Sequence, residues 1–290
     1  YIMCMGYYVK AWSDIFMPYL FGREENKDLL ISFINAVLED SAFEPIADVE
    51  IRNPFNLANI AGGKESILDV KATDSRARIY DIEVQASGDT SFKERSLYYW
   101  AKNYADQIEE GQHYKKLHPV ICINILNFEL IKDFENRHSC FLTMEKNDPE
   151  YVLSNHFMLH FLELTKLESS LDLENRLDRW LYFVKYEGKE NETMKYVIEN
   201  DPDIARANEE YEKFTANKKM RELYEAREKA RKDHNTMLVA AREEGEKKGH
   251  LEERKTNARR MLELSSDIDF IMKVTGLSRE EVEALREQEL

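Results

Sequence analysis

The sequence predicts an α/β (α+β) fold: a mixed sheet core flanked by helices, with a long helical C-terminal extension. Three observations carry this expectation. Two short runs, Ile67-Leu68-Asp69-Val70-Lys71 and Tyr80-Asp81-Ile82-Glu83-Val84-Gln85, alternate apolar and polar residues as half-buried strands do. The run Val120-Ile121-Cys122-Ile123-Asn124-Ile125-Leu126 reads as a buried strand. From Asn191 onward Pro202 is the only proline, and Glu, Lys, Arg and Ala dominate Glu209 to Arg260, a composition of long polar helices.

The elements follow in order. A helix is predicted over 26–40, where Leu29, Leu30, Phe33, Ile34, Val37 and Leu38 recur on one face. Glu24 and Glu25 precede it, where carboxylates suit the helix dipole. Val49 and Ile51 mark a first strand, and Gly62-Gly63 precede the Asp69 run. Between the two alternating runs, residues 73–78 are polar and turn-like. A hairpin centred on Arg76 pairs positions whose numbers sum to 152, which sets Asp69 opposite Glu83. Leu68, Val70, Tyr80, Ile82 and Val84 then face a core, and Asp69, Lys71, Asp81, Glu83 and Gln85 project from the other face. Directly opposite residues have Cβ atoms roughly 4.5–5.5 Å apart. Two carboxylates that close repel unless a cation lies between them. Hard oxygen ligands suit Mg²⁺ or Mn²⁺, so the pair reads as a divalent-metal site for phosphodiester cleavage. Plain alternation on a solvated antiparallel sheet would produce the same pattern, and the residues alone leave that alternative open.

A helix follows, with Ser91 and Glu94 spaced as a capping box and Gly111 as its stop. Leu97, Trp100, Ala101, Tyr104, Ala105 and Ile108 form its expected buried stripe. Arg95, Tyr98, Tyr99 and Lys102 flank that stripe; Arg95 is the candidate phosphate contact and Tyr99 is expected in the core. Further strands are predicted over 140–144 and 157–164. His160 and Glu163 lie an odd number of positions apart, so they point to opposite faces and read as structural. Leu173, Leu177, Trp180, Leu181 and Val184 define the next helix.

Asp69, a short hairpin and Glu83-Val84-Gln85 resemble the signature of the PD-(D/E)XK nucleases, with Gln85 in the Lys position. That substitution is similar to the Rpn family of recombination-promoting nucleases, or putative transposases. The resemblance continues through Ser13-Asp14-Ile15-Phe16, Tyr19-Leu20-Phe21-Gly22, residues 26–35, residues 92–100, Phe161-Leu162-Glu163-Leu164, Trp180-Leu181-Tyr182-Phe183 and residues 274–282. It departs at Pro18, where the family usually carries Lys. The resemblance implies a restriction-endonuclease-like core and a Mg²⁺-dependent (or Mn²⁺-dependent) DNA endonuclease. Asp69 and Glu83 would hold the metal, and Glu25 is a weaker acidic candidate. Gln85 can hydrogen-bond a water but carries no charge; Lys71 is expected to supply the missing positive charge, and Asp81 an outer carboxylate. The alternative is a catalytically degenerate relative that binds DNA or a protein.

Three segments are expected: a nuclease-like domain over 1–190, a charged helical arm over 191–260 and a small helix pair over 261–290. The net charge is −15 over 290 residues. Residues 1–190 carry −11 (21 basic, 32 acidic) and residues 191–290 carry −4 (20 basic, 24 acidic). DNA contact must therefore come from a local basic patch or bound metal. Cys4, Cys122 and Cys140 have neither disulfide nor zinc spacing, as expected of a cytoplasmic protein. No signal peptide and no membrane span are expected. Gly245 and Gly249 are predicted weak points of the arm. In the terminal pair, Ile268, Ile271, Met272 and Val274 pack one helix and Val282 and Leu285 the other, with Ser278 and Glu281 as a capping box. The pair has the outline of a helix-turn-helix. Glu280, Glu281, Glu283, Glu287 and Glu289 crowd its second helix, so it reads instead as a protein-interaction or homo-oligomerisation element.

Overall fold

The computed structural model describes residues 8–41, 43–53, 70–88, 91–169, 171–189 and 191–287. The chain divides into two compact units, residues 1–224 and 225–290.

The first unit is built on a six-stranded sheet in the order β1-β2-β3-β4-β6-β5. Its strands are β1 (Val49–Ile51), β2 (Val70–Asp74), β3 (Ile79–Gln85), β4 (Val120–Leu126), β5 (His138–Met144) and β6 (Val152–Glu163). β1, β2 and β3 are antiparallel, β3, β4 and β6 are parallel, and β5 returns antiparallel to β6. This is the mixed sheet that the sequence predicts. The parallel run explains why β4 is buried along its whole length.

The first face of the sheet carries the main core. Val70, Ala72, Tyr80, Ile82, Ile121, Ile123 and Ile125 meet α1 (Phe16–Phe21), α2 (Lys27–Val37), α4 (Arg176–Tyr186), α5 (Glu192–Asn200) and α6 (Pro202–Ala216) there. Trp180 is fully buried and donates from Nε1 to Ser32 Oγ at 3.2 Å. The second face is covered by α3 (Phe92–Ala105), whose Phe92, Trp100 and Tyr104 pack on Val120, Cys122, Leu126, Leu159 and Phe161.

The hairpin has the predicted register. Val70, Lys71, Ala72 and Thr73 pair with Ile82, Asp81, Tyr80 and Ile79. Its turn is shorter than expected, because Asp74 stays in the strand as a hub. Asp74 accepts hydrogen bonds from the backbone of Arg76 (2.9 Å) and Arg78 (3.0 Å) and from the Tyr80 hydroxyl (3.0 Å). Ala77 takes the left-handed conformation at φ 59°.

Several expectations need correction. On α3, Leu97, Ala101 and Ala105 are exposed, whereas Phe92 and Ser96 are buried. The helix turns a partly polar face to the sheet because carboxylates lie beneath it. It ends at Ala105, and Gly111 falls in a later turn at φ 86°. α5 and α6, which the sequence reading assigns to the arm, contribute Met194, Val197, Ile204, Ala207, Tyr211 and Phe214 to the main core. Phe16 meets Tyr211 and Phe214 edge-on at 5.3 and 5.4 Å. His160 and Glu163 have separate structural partners: His160 lies 2.9 Å from His138, and Glu163 accepts from the Leu130 backbone and Lys166 at 2.6 and 2.9 Å.

The second unit contains most of α7 (Lys218–Glu263), then α8 (Ile268–Thr275) and α9 (Arg279–Glu287). α7 continues without a break through Gly245 and Gly249. Ala258, Ile271, Leu277, Val282 and Leu285 form a small core, while Val274, expected to pack, is 58% exposed. Gly276 closes α8 in the left-handed conformation at φ 68°. The capping box is formed: Glu281 N donates to Ser278 Oγ (3.2 Å), and Ser278 N donates to Glu281 Oε2 (2.7 Å).

Candidate active site

The site grows from strand alternation. Along β3, Tyr80 and Ile82 enter the main core, so Asp81, Glu83 and Gln85 lie on the α3 side. Parallel pairing with β4 sets Cys122 beside Asp81 and Asn124 beside Glu83. Antiparallel pairing with β2 sets Lys71 directly opposite Asp81. From above, α3 supplies Ser96, Tyr99 and Asn103, which recur at helical spacing. Asp81, Glu83, Ser96, Tyr99, Cys122 and Asn124 line one tight cavity, too narrow for a water molecule as it stands.

Asn103 joins the two strands. Its Nδ2 donates to Asp81 Oδ2 (2.5 Å), and its Oδ1 accepts from Lys71 Nζ (3.2 Å). Lys71 Nζ lies 3.9 Å from Asp81 Oδ2, and Gln85 Nε2 donates to Glu83 Oε2 at 3.5 Å. Cys122 reports the local field. Burial, and then the charges of Asp81 and Glu83, raise its thiol well above the ordinary range against the opposing effect of Lys71. It forms a buried wall of the cavity.

The predicted residues fare differently. Lys71, Asp81, Glu83 and Gln85 come together on one face. Asp69 lies outside the described residues. Asp81 is only 3% exposed, which corrects the alternative reading of it as a plain solvated residue. Tyr99, expected in the core, lines the cavity at 38% exposure. Arg95 is not among the cavity-lining residues; its guanidinium lies 4.9 Å over the Phe92 ring. Glu25 is remote from this cluster. It pairs with Arg23 at 3.2 Å, and its backbone carbonyl accepts from Arg206 on α6. Sequence reasoning missed Ser96, Asn103 and Asn124. A lone amide in the apolar β4 run, and two polar residues in helical step with Phe92, were the available signals.

Among the described residues, no group of three or more His, Cys, Asp or Glu side chains is arranged to hold a metal ion. The donor set around the cavity is nonetheless rich in oxygen, with two carboxylates, an amide and two hydroxyls. That chemistry fits a hard divalent cation and not a soft one.

Residues 13–241 match the PD-(D/E)XK nuclease family transposase model. The chain belongs to this family. Residues 256–287 match the Rpn/YhgA-like nuclease family, C-terminal HTH domain. That match corrects the reading of the terminal pair as helix-turn-helix in outline only. Searches of curated proteins and of solved structures give no significant match. The restriction-endonuclease-like fold expected of the PD-(D/E)XK family agrees with the mixed sheet and its flanking helices. Among the described residues, no helix is long and apolar enough to cross a membrane.

Proposed function

We propose that this PD-(D/E)XK family member is a metal-dependent DNA endonuclease of the transposase-like type, acting in recombination. The observation that carries the reading is the convergence of Asp81 and Glu83 on one cavity, with Lys71 held beside them through Asn103. Glu83, Asp81 and Asp69 would hold Mg²⁺ or Mn²⁺. A bound divalent ion lowers the pKa of its water and offsets charge on the scissile phosphate. The chain's own groups do the rest. The ammonium of Lys71 offers the positive charge that Gln85 lacks and can donate to a phosphate oxygen. The Gln85 amide can orient a water by hydrogen bonding. Asn103 keeps Lys71 and Asp81 in register across the hairpin. DNA as the partner is supported by the family match and by the helix-turn-helix match over 256–287. Self-association through the helical tail belongs to the same proposal, as does action in the cytoplasm.

A labelled DNA duplex incubated with Mg²⁺ tests this reading. Cleavage is expected with the wild-type chain, to be absent in EDTA, and to be lost in Asp69→Ala and Glu83→Ala. Lys71→Ala is expected to cut at least tenfold more slowly with an unchanged thermal melt. A wild-type chain that leaves both duplex and single-stranded DNA intact with Mg²⁺ and Mn²⁺ would contradict the proposal. The degenerate alternative, in which the fold only binds DNA or a protein, draws support from Pro18, which is buried in α1 where the family's opening usually carries Lys.

A further inference from the structure

α3 carries an aromatic feature that the hydrolytic reading does not use. Tyr99 lines the carboxylate cavity. Tyr98, its neighbour, is 63% exposed, and the two rings lie 5.7 Å apart at 58°. Rings thus lead in sequence from the cavity to the surface. Tyr98 adds nothing to either core of the first unit, so packing gives no reason for an aromatic there. Helical spacing sets Lys102 four and three positions after Tyr98 and Tyr99, with Glu94 four positions before Tyr98 and Arg95 packed over Phe92. An exposed aromatic pair beside a lysine has the chemistry of a nucleobase-stacking surface. In an intact duplex the faces of the bases are covered by their neighbours. Only a base removed from its stack can lie on a tyrosine ring.

We propose that Tyr98 and Tyr99 form a stacking platform for an unstacked base beside the scissile phosphate, so that the preferred substrate is DNA with unpaired bases and not continuous duplex. The inference deepens the nuclease reading and rests on it for the location of the phosphate. The platform adjoins the cavity, so the unstacked base lies within a nucleotide or two of the cut.

The test uses the full chain in EDTA, where cleavage plays no part. A single-stranded oligonucleotide carrying 2-aminopurine reports stacking through loss of its fluorescence. Quenching is expected on binding. Tyr98→Ala should abolish most of it and weaken binding about tenfold; Tyr98→Trp should keep both. Binding of the same sequence as a closed duplex should not respond to either substitution. Because the side chain is exposed, the thermal melts of both variants should match the wild type. Single-strand binding unaffected by Tyr98→Ala, or duplex binding weakened equally, would overturn the platform. The two readings fail separately. Tyr98-dependent quenching without any Mg²⁺-dependent cleavage would sink the hydrolytic reading and keep the platform. Cleavage lost in Glu83→Ala but indifferent to Tyr98 would do the reverse.

Discussion

At the residue scale, burial sets the behaviour of the polar groups under α3 and at the end of α4. Asp81 was legible as an acidic residue on the right face, but not as a buried one, because alternation alone does not reveal what covers a sheet. Asn124 was visible as an amide in an apolar strand, and its partners come from β6 and the cavity, which the local sequence does not disclose. A second carboxyl shows the cost of burial. Glu187 caps the end of α4 at 5% exposure, and its Oε2 has no hydrogen-bond partner. Burial pushes it up to about 7, with Glu212 adding to the rise and the Gly188 backbone N–H opposing it. The folded state therefore holds the proton more tightly than the unfolded chain. The associated stability is complete below the unfolded value near 4.5 and is lost as pH rises through about 7. At about 1.4 kcal/mol per pKa unit this is about 3 kcal/mol, an order-of-magnitude figure. Thermal melts should show the wild type losing stability between pH 5 and 8 relative to Glu187→Gln. Parallel pH profiles for the two proteins would refute this.

At the element scale, the hairpin was the most legible part of the chain. Its register follows from hydrophobic alternation and a polar turn, both local properties, and the observed pairs keep the expected sum. The face of α3 was less legible. Its apolar residues spread around the helix, and the buried face is chosen by the sheet beneath. The end of α4 illustrates a constraint carried by one backbone position. Gly188 sits at φ 80°, and a Cβ there would lie 2.4 Å from the Tyr211 hydroxyl and 2.8 Å from the Tyr8 ring. Gly188→Ala combines backbone strain with a clash against two tyrosines. It should lower stability by about 1–3 kcal/mol, read as a fall in Tm of roughly 5 °C. An unchanged Tm would mean that the α4 end relaxes without resistance.

At the scale of the whole molecule, the change in composition near Asn191 was real, but the structural boundary lies after Tyr224. α5 and α6 look polar in sequence because each buries only a narrow apolar stripe. Their few apolar residues still complete the main core, with Tyr211 and Phe214 against Phe16. Truncation after residue 190 should therefore give an aggregating product without a cooperative melt. Truncation after residue 224 should keep a cooperative melt. Equal behaviour of the two fragments would contradict this division. The family itself was legible from an ordered set of weak motifs along the chain, and the match over residues 13–241 agrees with it.

The central claim is that the carboxylates beneath α3 hold a hard divalent ion, and calorimetric titration of the full chain with Mn²⁺ tests it most directly. Saturable heat in the wild type, abolished by Glu83→Gln in a protein with the same fold, is the predicted result. No heat in the wild type, or equal heat in the variant, would contradict it.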